Sequence, residues 1–190
     1  MRKTGLALKA SLVGLVVLAA AIMSSPAYAE ETKCRNTLGA VTVDNLRVPQ
    51  GATCTLNGTI VKGTITVKGG ATLVARGVRV VGNVQAENAM RVVVKSASRV
   101  GGSVQVKQGG AAKVLSSRIR GDIQYDANTR YLKANDNKVG GNIQVVGNSG
   151  GAGIFRNVVN GNLQCKENSP PPTGEGNIVG GNKEDQCAGF

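Results

Sequence analysis

Hydrophobic and polar residues alternate along most of this chain, and the alternation restarts at a glycine once in every repeat of roughly twenty residues. We number each repeat from this repeat glycine, which occurs seven times, at Gly63, Gly82, Gly102, Gly121, Gly141, Gly161 and Gly181. Position +1 is polar throughout, position +2 is aliphatic in the first six repeats, and position +3 is Gln in five of them. A nearly constant period of this size is typical of a solenoid.

The apolar positions of each repeat lie two residues apart. Position −2 is Val or Ile in all seven repeats, and positions +2 and +4 are apolar in the first six. This alternation, rich in β-branched residues, predicts short strands with one buried face. The repeat glycine marks a bend, either because a side chain would clash there or because φ must be positive.

A coil of about twenty residues can hold two or three short strands before the next coil stacks on it in parallel, about 4.8 Å away. No stretch of residues 30–190 carries the apolar spacing of an amphipathic helix. We therefore predict an all-β fold, a single-stranded parallel β-helix with about twenty residues per coil. We expect right-handed winding, which is the default for parallel crossovers.

The N-terminal segment 1–29 has the pattern of a secretory signal peptide. Arg2, Lys3 and Lys9 precede or flank an apolar stretch at 12–23, and a small-residue motif ends at Ala29. We predict cleavage after Ala29 and a secreted protein without a membrane span, which would be periplasmic if the source has an outer membrane. The remaining chain then divides into an N-terminal cap and first coil (30–62), the β-helix coils (63–168) and a C-terminal cap (169–190).

The four cysteines fall into two pairs with about one repeat between partners. Cys54 follows Cys34, and Cys187 follows Cys165, by close to one repeat length, so each pair lies on adjacent coils. The other two connectivities would join ends separated by roughly 25 Å. We predict these two disulfides as clamps of the two ends. We expect no metal and no cofactor, because the chain has no His and no closely spaced Cys pair.

Positive charge is concentrated in the middle of the chain. Without residues 1–29, 20 of the 23 Lys and Arg remain against 11 Asp and Glu. Position −3 is basic in four successive repeats and then turns apolar; its basic residues are Arg79, Arg99, Arg118 and Lys138. Since position −2 points inward, position −3 must point outward. We call these four residues the basic row and regard them as a candidate binding site for a polyanion, with a merely solvated basic face as the alternative.

Other polar residues are better explained by structure than by chemistry. Asp122 and Asp126 are the only acidic pair within one repeat of the basic region, and we expect Asp122 to replace Asn at an exposed position rather than to catalyse hydrolysis. The Gln at position +3 and the Asn at position −4 suit hydrogen-bonded columns of stacked amides. We therefore expect no catalytic residue.

Two stretches resemble known families. The repeat Val-x-Gly-Asn-Ile-Gln and the ending from Gly161 to Cys187 resemble a group of exported bacterial proteins described only as hypothetical. More distantly, residues 61–84 resemble bactofilins, which are polymer-forming β-helical cytoskeletal proteins. The resemblance implies a β-helix, but the signal peptide and the cysteines depart from the bactofilin pattern.

Three functions follow from these observations, in order of preference. The first is a secreted structural or adhesion-type β-helix at the cell surface without catalytic activity. The second is a binding module for an anionic glycan, such as an anionic cell-envelope polymer or an acidic polysaccharide. A polysaccharide lyase-like enzyme ranks last. Nucleic acid is a poor ligand because aromatic residues do not interleave with the cations, and we expect a monomer.

Overall fold

The structure is a computed structural model that describes Met1 and residues 30–190. The predicted signal peptide lies, apart from Met1, outside the described residues. Within residues 30–190 the chain forms 25 β-strands and no helix. The strands, numbered β1 to β25 in chain order, form three sheets that we call faces A, B and C.

Each coil contributes one strand to each face. Face A consists of β1 (Glu31–Lys33), β4 (Asn45–Val48), β7 (Ile65–Val67), β10 (Val84–Glu87), β13 (Val104–Lys107), β16 (Ile123–Asp126), β19 (Ile143–Val146), β22 (Leu163–Lys166) and β25 (Lys183–Asp185). Face B consists of β2 (Thr37–Leu38), β5 (Thr53–Asn57), β8 (Thr72–Arg76), β11 (Arg91–Lys95), β14 (Ala111–Leu115), β17 (Leu132–Asn135), β20 (Ala152–Phe155) and β23 (Thr173–Glu175). Face C consists of β3 (Thr42–Val43), β6 (Ile60–Val61), β9 (Arg79–Val80), β12 (Arg99–Val100), β15 (Arg118–Ile119), β18 (Lys138–Val139), β21 (Val158–Val159) and β24 (Ile178–Val179).

The pairing between strands follows the sequence repeat. On face A, for example, Val84 aligns with Val104, and Val104 aligns with Ile123 one repeat later. All pairings are parallel and join each strand to its equivalent in the next coil. The predicted all-β parallel β-helix, with one repeat of about twenty residues in each coil, is thereby confirmed. Its right-handed winding stays a prediction.

The core is a column of aliphatic side chains between the three faces. Positions −2, +2 and +4 are buried through the central coils, as the alternation predicts. Tyr125 at position +4 is the largest fully buried side chain, and its hydroxyl donates a hydrogen bond to the carbonyl oxygen of Lys133 at 2.8 Å. Burial raises the pKa of Tyr125, so the phenol stays protonated and keeps this donor.

The repeat glycine lies at the corner between faces C and A, where the side-chain oxygen at position +1 of the preceding coil occupies the space of a Cβ. A Cβ on Gly82 would lie 2.6 Å from Oγ1 of Thr64 and 2.8 Å from the carbonyl oxygen of Gly63. The repeat glycines are not among the residues with positive φ. Of the two reasons expected for glycine at this position, steric exclusion is therefore the correct one.

The same oxygen explains why position +1 is always Asn, Asp, Ser or Thr. It accepts a hydrogen bond from the backbone N–H at position +1 of the next coil, for example from Ser103 to Asn83 at 2.8 Å and from Asp122 to Ser103 at 2.9 Å. The series continues without a gap from Asn45 to Asn182. Each of these side chains thus satisfies a backbone donor at a corner that the sheet hydrogen bonds do not reach.

The other two corners use left-handed backbone. Between faces A and B, φ is positive at Gly51, Gly70, Asn88, Gln108, Ala127, Gly147 and Glu167. Between faces B and C, φ is positive at Gly58, Gly77, Ala97, Ser116, Asp136, Arg156 and Gly176. In the C-terminal coils the residue that follows each of these points inward, as Asn128 does after Ala127 and Asn137 after Asp136.

Buried asparagines fill the corner between faces B and C in the C-terminal half. Asn137, Asn157 and Asn177 form the predicted column there, which is confirmed. The backbone N–H and Nδ2 of Asn137 donate to Oδ1 of Asn157 at 3.1 and 3.0 Å. Nδ2 of Asn157 donates in turn to the carbonyl oxygen of Ala134 at 2.6 Å. The buried amides are paired on both sides, which removes the cost of burying them.

A second asparagine column, which the repeat pattern did not single out, lies at the corner between faces A and B. It consists of Asn128, Asn148 and Asn168. Its hydrogen bonds repeat the same geometry from coil to coil, and the side chain of Gln186 ends it. The N-terminal coils place Ala71 and Ala89 at this corner instead, so the two halves of the solenoid fill one corner by different means.

Both predicted disulfides are present, one near each end of the solenoid. The Cα atoms of Cys34 and Cys54 are 5.5 Å apart, and those of Cys165 and Cys187 are 5.2 Å apart. The partners lie on adjacent coils but not at equivalent positions. Cys54 lies in β5 on face B whereas Cys34 follows β1 on face A, and Cys165 aligns with Asp185 rather than with Cys187. The bonds therefore join positions on adjacent coils that are offset from each other along the strand ladder.

Replacing Cys165 and Cys187 together with alanine is expected to lower the free energy of unfolding by about 3 kcal/mol, because the bond links residues with a sequence separation of 22. Hydrogen exchange should speed up in the last coil and leave the central coils unchanged, since stability in a solenoid is local. Exchange that increased equally along the whole chain would contradict the assignment of this bond as an end clamp.

The two segments predicted as caps carry strands of the same three faces. Residues 30–62 contain β1 to β6, and residues 169–190 contain β23 to β25. At the C-terminal end, Lys183 occupies position +2 and is exposed where the preceding coils place a buried aliphatic side chain. A charged residue at this position ends the apolar column and discourages pairing with a further strand.

Candidate functional site

The basic row lies on face C, one residue per coil in four consecutive coils. Arg99 aligns with Arg79 on one side and with Arg118 on the other, and Arg118 aligns with Lys138. All four side chains are exposed. The structure thus brings together all four residues that the sequence predicts.

The outward direction of the basic row follows from its neighbours. Around Arg118, for example, Ser117 at position −4 and Ile119 at position −2 are both buried. Since side chains alternate between the two sides of an extended backbone, a residue between two buried neighbours must point outward. The row is therefore fixed by the same alternation that builds the core.

No carboxylate neutralises the basic row. The salt bridges of residues 30–190 join Arg47 to Glu31, Lys62 to Asp44, Arg156 to Asp136 and Lys166 to Glu167. The strongest of them is bidentate, and its hydrogen bonds from Arg156 lower the pKa of Asp136. Four other cations thus have acidic partners, while those of the basic row, like the remaining Lys and Arg of the described residues, have none.

A shallow groove of about 580 Å³ runs along face C beside the basic row. It extends from the coil of Arg79 to the coil of Asn160. Position −1 forms its other side, with Val81 and Arg120 in two coils and glycine at Gly101 and Gly140 in the coils that alternate with them. We call this feature the face-C groove.

Arg120 is the groove residue that sequence reasoning missed. It lies two residues after Arg118, so the same period-two alternation places it outward. The repeat did not draw attention to position −1 because its residue type changes from coil to coil. The alternation of inward and outward positions would have identified Arg120 as an outward residue.

The basic row has apolar neighbours at both ends. Ile60 aligns with Arg79 and is 39% exposed, and Val158 aligns with Lys138 and is 38% exposed. Beyond Val158, Ile178 continues the apolar end and is 68% exposed. The cationic part of face C is thus limited to four coils.

The acidic pair lies in one coil but is spaced more widely than the paired carboxylates of glycosidases. Oδ1 of Asp122 accepts hydrogen bonds from the backbone N–H and Nδ2 of Asn142 at 2.7 and 3.2 Å. The carboxylate is therefore a member of the hydrogen-bonded series at position +1. Asp126 ends β16, four residues after Asp122, so an extended backbone separates them by about 13 Å, whereas the two carboxylates of glycosidases are about 5 to 9.5 Å apart. The expectation that Asp122 replaces Asn in this series is confirmed, but the residue is half-buried rather than exposed, because Asn142 of the next coil packs against its carboxylate.

The outward glutamines at position +3 form the predicted amide column on face A. Nε2 of Gln105 donates to Oε1 of Gln124 at 2.7 Å, and Nε2 of Gln124 donates to Oε1 of Gln144 at 2.9 Å. A longer bond of 3.4 Å joins Gln85 to Gln105. The amides of Gln85, Gln105, Gln124 and Gln144 thus bond to one another, which favours their structural interpretation over a sugar-binding face.

Residues 30–190 contain no cluster of three or more His, Cys, Asp or Glu side chains that could hold a metal ion. All four cysteines are in disulfides. In the part of the chain that the structure describes, no helix is long and apolar enough to span a membrane.

The fold and the face-C groove define the class of protein as a disulfide-clamped β-solenoid with an unpaired row of cations on one side. No protein-family model, no curated protein and no solved structure matches this chain. The function must therefore be argued from the groove itself.

Proposed function

We propose that this protein is an exported, non-catalytic β-solenoid that binds a linear anionic polymer along the basic row. The observation that carries the proposal is the alignment of four exposed cations, Arg79, Arg99, Arg118 and Lys138, in consecutive coils without an acidic partner among the described residues. An anionic cell-envelope polymer or an acidic polysaccharide has the extended shape and regular charge that this row requires.

Electrostatics supports a ligand at this row. The backbones of neighbouring cations are about 4.8 Å apart, well within the Debye length of about 8 Å at physiological salt, so the charges repel one another. A polymer with regularly spaced anionic groups turns this repulsion into attraction. Binding of this kind weakens as salt rises, because counterions released from the polymer compete with the cations.

Export is part of the proposal and rests on two features. The pattern of residues 1–29 is that of a signal peptide. Two disulfides are typical of an oxidising compartment such as the periplasm or the cell exterior. A structural role at the cell surface, expected first from the sequence, is compatible with polymer binding, since a rigid rod that holds an envelope polymer serves both.

Changing all four residues of the basic row to glutamine tests the proposal. We expect the variant to elute from an anionic polysaccharide column at clearly lower salt than the parent, with affinity at physiological salt reduced at least about tenfold. The matched control changes three Arg and one Lys outside face C to glutamine, at Lys68, Arg76, Arg91 and Arg130, all exposed. The control removes the same net charge and should retain most of the binding.

Two outcomes would contradict the proposal. One is elution of the row variant at the salt of the parent while its circular dichroism shows it folded, which would make the basic row a solvated face. The other is equal loss in the row variant and in the control, which would reduce the effect to net charge.

A further inference from the structure

We propose that face A is the interface of a symmetric dimer, in which a second copy of this chain lies alongside the first with its solenoid axis reversed. The observation that carries this proposal is a row of four charges of alternating sign at position +5 of four consecutive coils, Lys68, Glu87, Lys107 and Asp126. We call these residues the alternating row. Face C stays on the outside of such a dimer, so the proposal is independent of polymer binding by the basic row.

The alternating row lies along one edge of face A and points outward. Glu87 aligns with Lys107, and Lys107 aligns with Asp126, in neighbouring parallel strands. Lys68 directly follows β7 and occupies the same position one coil earlier. The first three residues of the row are exposed and Asp126 is half-buried. Neighbouring members have backbones about 4.8 Å apart, so the four charges form a straight line along the solenoid.

The charges of the alternating row are not used within the chain. Opposite charges follow one another along the row, yet none of its four side chains forms a salt bridge within residues 30–190. Each of the four charged groups is therefore available to a group of opposite sign on another molecule.

The order of the signs fits a second copy of the same row. In a two-fold interface, residue i of one copy faces residue j of the other, and j faces i. An axis that crosses face A between β10 and β13 places Glu87 against the partner's Lys107, and Lys68 against the partner's Asp126. Every charge of the row then meets the opposite sign, because the row has an even number of alternating charges. A parallel partner in register would place like charges together, so the signs specify the antiparallel orientation.

The positions on either side of the alternating row are compatible with this axis. Pro49 precedes the row at position +5 and Val146 follows it, and both are half-buried. The axis places each of them against the other, which pairs two apolar side chains. Further out, Arg35 would face the partner's Lys166 at the rim, where water and salt screen like charges. Glu167 lies beside Lys166 at 3.5 Å and reduces this repulsion.

The glutamine column supplies polar contacts in the middle of face A. The axis places Gln85 against the partner's Gln105. Each of these amides donates one N–H to the next glutamine of its own column, and an amide has a second N–H for a partner. A shallow groove of about 590 Å³ lies between the glutamine column and the alternating row, and it gives side chains of the second copy room to enter.

The size of the overlap predicts a weak dimer. Face A has nine strands, and the axis lies between the fourth and the fifth, so eight strands of each copy overlap. Eight strands span about 34 Å, and five residues of a strand about 16 Å, so each copy contributes on the order of 500 Å². A total of about 1,000 Å² is at the low end of specific interfaces. Because the contacts are largely charged, the dimer should dissociate as salt rises.

Reversing one charge at a time tests the interface. Glu87→Lys places a lysine against the partner's Lys107, and Lys107→Glu places a glutamate against the partner's Glu87, in each case twice per dimer. Sedimentation equilibrium of the purified protein at low salt should show that each variant dimerises at least about tenfold more weakly than the parent. The matched control is Glu175→Lys, an exposed residue of β23 on face B. It changes the net charge as Glu87→Lys does and should dimerise like the parent.

Combining the two reversals should restore the dimer. An equimolar mixture of Glu87→Lys and Lys107→Glu has opposite signs at all four contacts of a mixed dimer, which should form with nearly the affinity of the parent. The double variant, with both changes in one chain, should also dimerise. Its row reads two positive and then two negative charges, so the alternation within the chain is lost while the match between copies is kept. Recovery therefore separates pairing between copies from a stabilising effect within one chain.

Three outcomes would overturn the proposal. The first is a parent protein that stays monomeric up to about 1 mM, which would support the monomer expected from the sequence. The second is unchanged dimerisation of the single variants. The third is failure of both the mixture and the double variant to dimerise while circular dichroism shows the variants folded. None of these results bears on the binding of a polymer by face C.

Discussion

Replacing Ile123 with aspartate is expected to lower the free energy of unfolding by about 5 kcal/mol, because it removes a buried aliphatic side chain and places a carboxylate in its position. Ile123 is 0% exposed and lies between Val104 and Ile143 in the apolar column of face A. Denaturant unfolding followed by circular dichroism measures the loss. Hydrogen exchange should show that the coils next to residue 123 open first, since each coil packs only on its neighbours.

The matched control is Gln124→Ala, one residue further along the same strand and on the outer surface. It removes two amide hydrogen bonds, at 2.7 and 2.9 Å, that are partly open to water, and should cost about 1 kcal/mol or less. Similar unfolding midpoints for the two variants would show that the inward and outward positions have been assigned incorrectly.

Replacing Asn157 with alanine is expected to cost about 3 kcal/mol, because it breaks the asparagine column in its middle and leaves buried polar groups without partners. The backbone N–H and Nδ2 of Asn137 would lose their acceptor. Oδ1 of Asn177 would lose its donor Nδ2 at 2.9 Å but keep the backbone N–H of residue 157 at 3.0 Å, and the carbonyl oxygen of Ala134 would lose a donor at 2.6 Å. A buried polar group left without a partner keeps its full desolvation cost. Thermal and denaturant unfolding provide the measurement.

Asn160→Ala serves as the control for this column. Asn160 is exposed, lies on the same coil and is three residues away from Asn157. The substitution should change stability by less than about 0.5 kcal/mol. If Asn157→Ala were as mild as Asn160→Ala, the buried column would contribute nothing beyond filling space.

Much of the fold could be predicted because a solenoid repeats one local rule. The inward parity of Val80, Val84 and Ala86 follows from period-two alternation, and a nearly constant repeat length places equivalent residues side by side. The basic row follows from the same two facts. The pairing of the cysteines follows as well, since only partners on adjacent coils come within reach of a disulfide.

The corners could not be predicted in the same way. The side-chain oxygen at position +1 occupies the Cβ space of the next repeat glycine. This contact depends on how a coil turns from face C to face A. The column of Asn128, Asn148 and Asn168 likewise depends on a left-handed residue before each of them, which places the amide inside. Conformation at a bend is set by contacts between coils, and a sequence pattern records only the spacing along one coil.

The sequence by itself thus determined the period, the buried positions, the partners of the disulfides and the basic row. Only the tertiary structure decided that the disulfides join positions that are not equivalent in the repeat, that Asn142 donates hydrogen bonds to Asp122, and that Arg120, Gly101 and Gly140 complete a groove beside the row. The physical reason is that alternation and repeat length fix direction and stacking within a face. The distance between residues on different faces, or across a corner, depends on the closed path of the whole coil.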